Sequence, residues 1–84
     1  MYWLYILRSL KDGRVYIGST NNLKRRLKEH ERGKVKSTKG RRPFKLIHIE
    51  KFNTRSETTQ RELFLKSPQG YSEKIGLIRS QDGV

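Results

Sequence analysis

The longest apolar run in the sequence, Tyr2 to Leu7 in "MYWLYILRS", most constrains the fold. Its aromatic and branched residues suit a strand. It is too short to span a membrane or to serve as a signal sequence. Alternation puts Trp3, Tyr5 and Leu7 on one face and Tyr2, Leu4 and Ile6 on the other, so both faces are apolar. A sheet built on such a strand needs helices or loops over each side. An Asp12-Gly13 turn and a second β-rich run, Val15 to Ile17, make the start of the chain a hairpin, with Tyr5 and Tyr16 on the same face of an evenly paired ladder.

Beyond Gly18, "STNN" offers helix N-caps, and "LKRRLKEHER" predicts a helix over 22–32 that stops at Gly33. At a hundred degrees per residue Leu23, Arg26, Leu27 and His30 share the inward stripe. Arg25 lies on the outer arc, where it is expected to face solvent or to bind the phosphates of a nucleic acid. A buried arginine needs an anion or a carboxylate beside it, so Arg26 is expected to meet a phosphate or a glutamate. The segment "GKVKSTKGRRP" has too little apolar content to pack and is expected to be an exposed basic loop, with Lys34, Lys36, Lys39, Arg41 and Arg42 free to bind nucleic acid.

"FKLIHIEKF", 44–52, reads as a third strand, with Ile47 and Ile49 on one face and Leu46 and His48 on the other. Thr54 and Glu57 stand at capping-box spacing before a second helix that ends near Lys66, ahead of Pro68. In the tail, Ile75, Leu77 and Ile78 suit a short docking helix, with frayed residues at the end. The β-β-α-β-α order predicts an α+β fold with a small, three-stranded, largely antiparallel sheet flanked by helices. The 84 residues fit a single domain whose core covers about 2–66, with 67–84 as the tail.

Twenty Lys and Arg against eight Asp and Glu give a net charge of +12, which points to a polyanion, and no basic helix has the wide apolar face that a membrane surface requires. With no cysteine there is neither a disulfide framework nor a zinc finger, which is compatible with the cytoplasm. Acids are few. Glu62 falls near the packed side of the second helix, where one carboxylate beside a phosphate suits a single hard cation. Two phenols converging on one sheet face amid excess positive charge could handle protons. His30, one turn beyond Arg26, could share a proton or touch phosphate, although a lone histidine on a helix stripe also serves as packing.

"WLY" at 3–5, "VYIG" at 15–18, Arg26 eight positions after Gly18, and Glu62 in a later helix together resemble the GIY-YIG endonucleases, in particular their small single-domain bacterial members. Trp3 and Leu4 stand where the first motif has glycine and isoleucine, and Ser19 replaces a frequent lysine. The resemblance implies a divalent-metal-dependent endonuclease that hydrolyses DNA, leaving 3′-hydroxyl and 5′-phosphate ends. By that resemblance Tyr5 and Tyr16 are the motif tyrosines, Arg26 contacts the cleaved phosphate, His30 matches a catalytic-site position, and Glu62 holds one Mg²⁺ or Mn²⁺. Tyr16 is expected to act as the base and Tyr5 to position the water or phosphate. The implied partner is double-stranded or branched DNA bound with low sequence specificity, in repair or recombination, in the cytoplasm or on the nucleoid, with a protein partner conceivable for targeting. The rival expectation is a non-catalytic DNA- or RNA-binding module with a degenerate nuclease site.

Overall fold

A computed structural model describes residues 1–80. Strand β1 (Tyr2–Ser9) lies in the middle of a three-stranded antiparallel sheet, with β2 (Val15–Thr20) on one side and β3 (Phe44–Phe52) on the other. The β1–β2 turn closes through two backbone hydrogen bonds, from the Ser9 amide to the Arg14 carbonyl and from the Gly13 amide to the Ser9 carbonyl. Gly13 has φ of 75°, where a side chain would be strained.

Because β1 is apolar on both sides, each sheet face is covered. Leu4 and Ile6 meet Ile17, Ile47 and Leu65, with Val15, Phe52, Leu77 and Ile78 packed around them. Leu65 comes from helix α2 (Arg55–Lys66), Leu77 and Ile78 from helix α3 (Tyr71–Ser80). Both halves of the Thr54/Glu57 capping box form, as the spacing predicts. Arg61 of α2 grips the Glu50 carboxylate of β3 through Nε at 2.8 Å and NH2 at 3.0 Å, and also pairs with Glu73 of α3. Truncating Leu65, which is wholly buried, to alanine should cost about 2–5 kcal/mol, a large share of the stability of a domain this small.

Tyr5 and Leu7 point to the opposite face, toward helix α1 (Leu23–Glu31) and the segment that follows it. Asn22 caps α1 by accepting a hydrogen bond from the Arg25 amide at 3.0 Å, and Gly33, again at φ of 75°, stops it. Among the described residues no helix is long and apolar enough to cross a membrane.

The sheet, α1 and α2 match the sequence-based expectation, and the short docking helix expected around Ile75, Leu77 and Ile78 is α3, which begins at Tyr71. Two local expectations fail. The segment 33–43 is not simply an exposed loop: Val35 and Thr38 are buried, and Lys39–Arg41 forms a 3₁₀ turn. Thr38 is held against His30 of α1, a contact that local hydrophobicity does not register. Ile47 and Ile49 do not share a face either. The β1–β3 register shifts between Ile6 and Leu7, so that Ile47 enters the core while Ile49, opposite Tyr5, lies on the other face, 44% exposed. The expected fraying at the chain end falls on 81–84, outside the described residues.

Candidate active site

Gly18 is the backbone partner of Tyr5 across the β1–β2 ladder, and Tyr16 precedes it by two residues on the same face. The Tyr5 phenol lies over the glycine so closely that a Cβ there would sit 2.5 Å from its oxygen and 2.9 Å from the Tyr16 ring. Only glycine leaves room for the two rings, whose centroids are 6.2 Å apart.

The inward stripe of α1 brings His30 onto this pair. Its ring centroid lies 5.6 Å from that of Tyr5, 5.1 Å from that of Tyr16 and 6.3 Å from that of Phe44, all at steep interplanar angles. His30 Nε2 is 2.8 Å from the Tyr5 hydroxyl, and Nδ1 is 2.8 Å from Thr38 Oγ1. Tyr5, His30 and Thr38 are all buried to within 2% of full withdrawal from solvent. The geometry therefore joins Tyr5, Tyr16 and His30, three residues singled out from sequence, and adds Gly18 and Thr38.

Arg26, one turn before His30, donates from NH1 to Glu29 at 2.9 Å. That bond, with the neighbouring Tyr5 hydroxyl, raises its affinity for its proton still further. It thus meets the carboxylate that a half-buried arginine needs, while remaining beside Tyr5. Burial pushes the Tyr5 phenol up to about 12, against the opposing influence of Arg26, so it stays protonated at neutral pH. Burial, with the Arg26 charge second, lowers His30 below the ordinary histidine value, so its imidazole is neutral there. The cluster consequently holds a phenol that keeps its proton and an imidazole with one nitrogen free to take it.

Beside this cluster lies a basin of about 360 Å³ lined by Arg25 and Arg26 of α1, Arg55 and Thr58 of α2, and Ser19 and Thr20 of β2. Three guanidiniums suit a phosphate, whereas the Thr58 and Thr20 hydroxyls donate to the carbonyls of Thr54 and Asn22. Arg55 carried no sequence signal as a site residue, because only the packing of α2 brings it to α1.

Glu62 sits one helical turn beyond Thr58 on α2 and pairs with Lys66 at 2.7 Å. Its carboxylate is joined to Lys66 rather than to Tyr5, Tyr16, Arg26 or His30. Among the described residues, no group of three or more His, Cys, Asp or Glu side chains is arranged to hold a metal. Toward a hard cation Glu62 would offer one oxygen ligand, with a substrate phosphate and waters supplying the rest and Lys66 giving way.

The cations proposed for nucleic-acid binding divide into two groups. Lys34, Lys36 and Lys39 have exposed side chains, whereas Arg41 pairs with Asp12 at 3.3 Å and Arg42 donates to the carbonyls of Lys39 at 2.9 Å and Glu31 at 3.3 Å. Arg25 shares Glu29 at 3.6 Å and remains largely exposed. Arg41 and Arg42 thus brace the loop from within.

A family model described as the GIY-YIG catalytic domain matches residues 1–74. The UPF0213 protein of Oceanobacillus iheyensis is 43% identical over 82 residues, which is 96% of this chain and 93% of the relative. That of Natronomonas pharaonis is 42% identical over 83 residues, covering 98% and 95%. The solution NMR structure of the UPF0213 protein from Bacillus halodurans superposes with a TM-score of 0.54 at 36% identity, over 92% of this chain and 85% of that one.

Proposed function

The chain belongs to the GIY-YIG family, a nuclease fold, and from that premise we propose that it is a divalent-metal-dependent endonuclease hydrolysing DNA phosphodiester bonds with little regard to sequence. The observation that carries this reading is the 2.8 Å contact between the Tyr5 hydroxyl and His30 Nε2, beside the arginine-lined basin.

The scissile phosphate occupies the basin, where Arg26 stabilises the negative charge that builds on its non-bridging oxygens, with Arg25 and Arg55 alongside. Water attacks phosphorus, forming a P–O bond, as the P–O3′ bond breaks. The water proton passes to the Tyr5 oxygen while Tyr5 delivers its own proton to His30 Nε2, so no phenolate need persist at neutral pH. The departing 3′-oxygen takes a proton from solvent. This assigns the base to Tyr5, working through His30, and leaves Tyr16 to hold the pair in place, a reversal of the roles expected from sequence. Glu62 would hold Mg²⁺ or Mn²⁺, which when bound supplies additional positive charge to the phosphate.

Recognition rests on phosphate contacts from lysines and arginines, which position a duplex without reading its bases. We therefore propose preference by DNA shape, branched substrates included, as suits a role in repair or recombination in the cytoplasm. The test is cleavage of supercoiled plasmid and of branched and single-stranded oligonucleotides with Mg²⁺, with Mn²⁺ or with chelator, by the wild type and by Glu62→Ala. Metal-dependent nicking lost in the variant supports the proposal. DNA binding without cleavage under every condition overturns it in favour of a non-catalytic binding module.

A further inference from the structure

The proton transfer just described requires one particular form of His30. A neutral imidazole carries its hydrogen on one nitrogen only, and Nε2 accepts from Tyr5 only when the hydrogen is on Nδ1. His30 has no intrinsic reason to hold it there. The choice falls to the neighbour of Nδ1, which is Thr38 Oγ1 at 2.8 Å.

A hydroxyl can give or take a hydrogen bond, and its other contact decides which. Thr38 Oγ1 lies 3.3 Å from the carbonyl of Val35, which only accepts. With its hydroxyl donating to Val35, Thr38 presents an oxygen lone pair to Nδ1. Thr38 is fully buried, leaving no water to compete for either site. The turn that presents it is fastened at several points. The amides of Thr38 and Lys39 also donate to the Val35 carbonyl, at 3.1 and 2.9 Å, and the Ser9 hydroxyl of β1 donates to the Arg41 carbonyl at 2.6 Å.

We propose that Thr38 is a positioning residue that fixes His30 as the Nδ1–H tautomer, keeping Nε2 open to the Tyr5 proton. The proposal rests on the reading of Tyr5 and His30 as the proton path. It gives the basic segment a second role, because the stretch whose Lys34, Lys36 and Lys39 face solvent also sets, through Thr38, the protonation pattern of the imidazole beneath it. A histidine oriented by the partner of its second nitrogen is a common device in reactive sites.

The test is long-range ¹H–¹⁵N NMR of the full chain with ¹⁵N-labelled histidine at neutral pH, combined with plasmid nicking, for wild type, Thr38→Ser and Thr38→Val. Wild type and Thr38→Ser should show His30 with its hydrogen on Nδ1. In Thr38→Val, which keeps the shape but loses the acceptor, the population should move toward Nε2–H. Nicking should fall about 10- to 100-fold in Thr38→Val and stay within about 3-fold of wild type in Thr38→Ser. A wild type with its hydrogen on Nε2 overturns the proposal even if Thr38→Val fails to fold. So does a folded Thr38→Val with an unchanged tautomer or an unchanged nicking rate. The NMR measurement does not depend on activity, so a wild type that carries Nδ1–H yet cuts no DNA refutes the nuclease reading and upholds the tautomer assignment.

Discussion

The Tyr5 hydroxyl and His30 Nε2, 2.8 Å apart, connect the middle strand of the sheet to the end of the first helix inside the protein. Replacing Tyr5 with phenylalanine keeps the ring and removes that oxygen. Nicking should fall by at least about 10²-fold, while unfolding shows a loss of about 1–3 kcal/mol, since His30 Nε2 is left buried without its partner. Tyr16→Phe should reduce the rate less, and a larger loss there than in Tyr5→Phe would return the base role to Tyr16.

The same contact predicts a pH profile. Tyr5, Tyr16, Arg26 and Glu29 surround His30 or bear on its charge, and its pKa is depressed by burial first and Arg26 second. The imidazole must be neutral to accept a proton, so single-turnover nicking should hold steady down to about pH 6.5, the ordinary histidine value, and decline below it. With the Tyr5 phenol at about 12, Tyr5 should cause no alkaline loss up to about pH 10. An acid limb centred above about pH 7 would contradict a neutral, buried His30.

Gly18→Ala tests the close approach of the hairpin. The new methyl would meet the Tyr5 oxygen at 2.5 Å, its Cζ at 2.7 Å and the Tyr16 ring at 2.9 Å. Tyr5 is buried and cannot swing away, so the variant should lose about 1–3 kcal/mol in chemical denaturation. Nicking should fall by more than about 10-fold as the phenol leaves His30.

Glu62→Gln retains the side-chain shape and removes the charge. It should abolish metal-dependent cleavage while fluorescence anisotropy in chelator shows DNA affinity unchanged, because the basin arginines and loop lysines lie elsewhere. Wild-type nicking by Glu62→Gln would remove this residue from the reaction.

Glu50 should govern part of the acid stability. Burial would raise its carboxyl, but the hydrogen bonds from Arg61 and His48 outweigh that and hold it below the ordinary range. A depressed carboxylate contributes stability above its unfolded pKa and loses it as pH falls through the folded value. Unfolding free energies from urea titration should therefore favour wild type over Glu50→Gln by about 1–2 kcal/mol at about pH 6–7, with the gap closing below about pH 4. A gap that persists at about pH 3 would assign the effect to shape rather than charge.

Much of this arrangement can be read from residue order alone. The alternation in Tyr2–Leu7 and the helical stripe of Leu23, Arg26, Leu27 and His30 both survive folding, because each is a local periodicity that tertiary contacts reinforce. The capping residues Asn22 and Thr54 act within one turn, so their role is equally legible. The burial of Thr38 is not legible in the sequence because its partner is His30 of α1, while the neighbouring cations dominate any local reading of polarity. Ile49 departs from strict alternation because of the register shift on β3, which no pattern within the strand announces. The contribution of Arg55 to the phosphate basin depends on how two helices pack, which no spacing within either helix encodes.

Tyr5 belongs to the strand that is hydrogen-bonded on both sides, and this bears on how the site fails. Its amide should exchange with solvent deuterium among the slowest in the chain, since releasing it means parting β1 from a neighbouring strand. The reactive phenol thus has no low-energy opening of its own, and heat should extinguish activity at the temperature where the whole sheet melts, not before it.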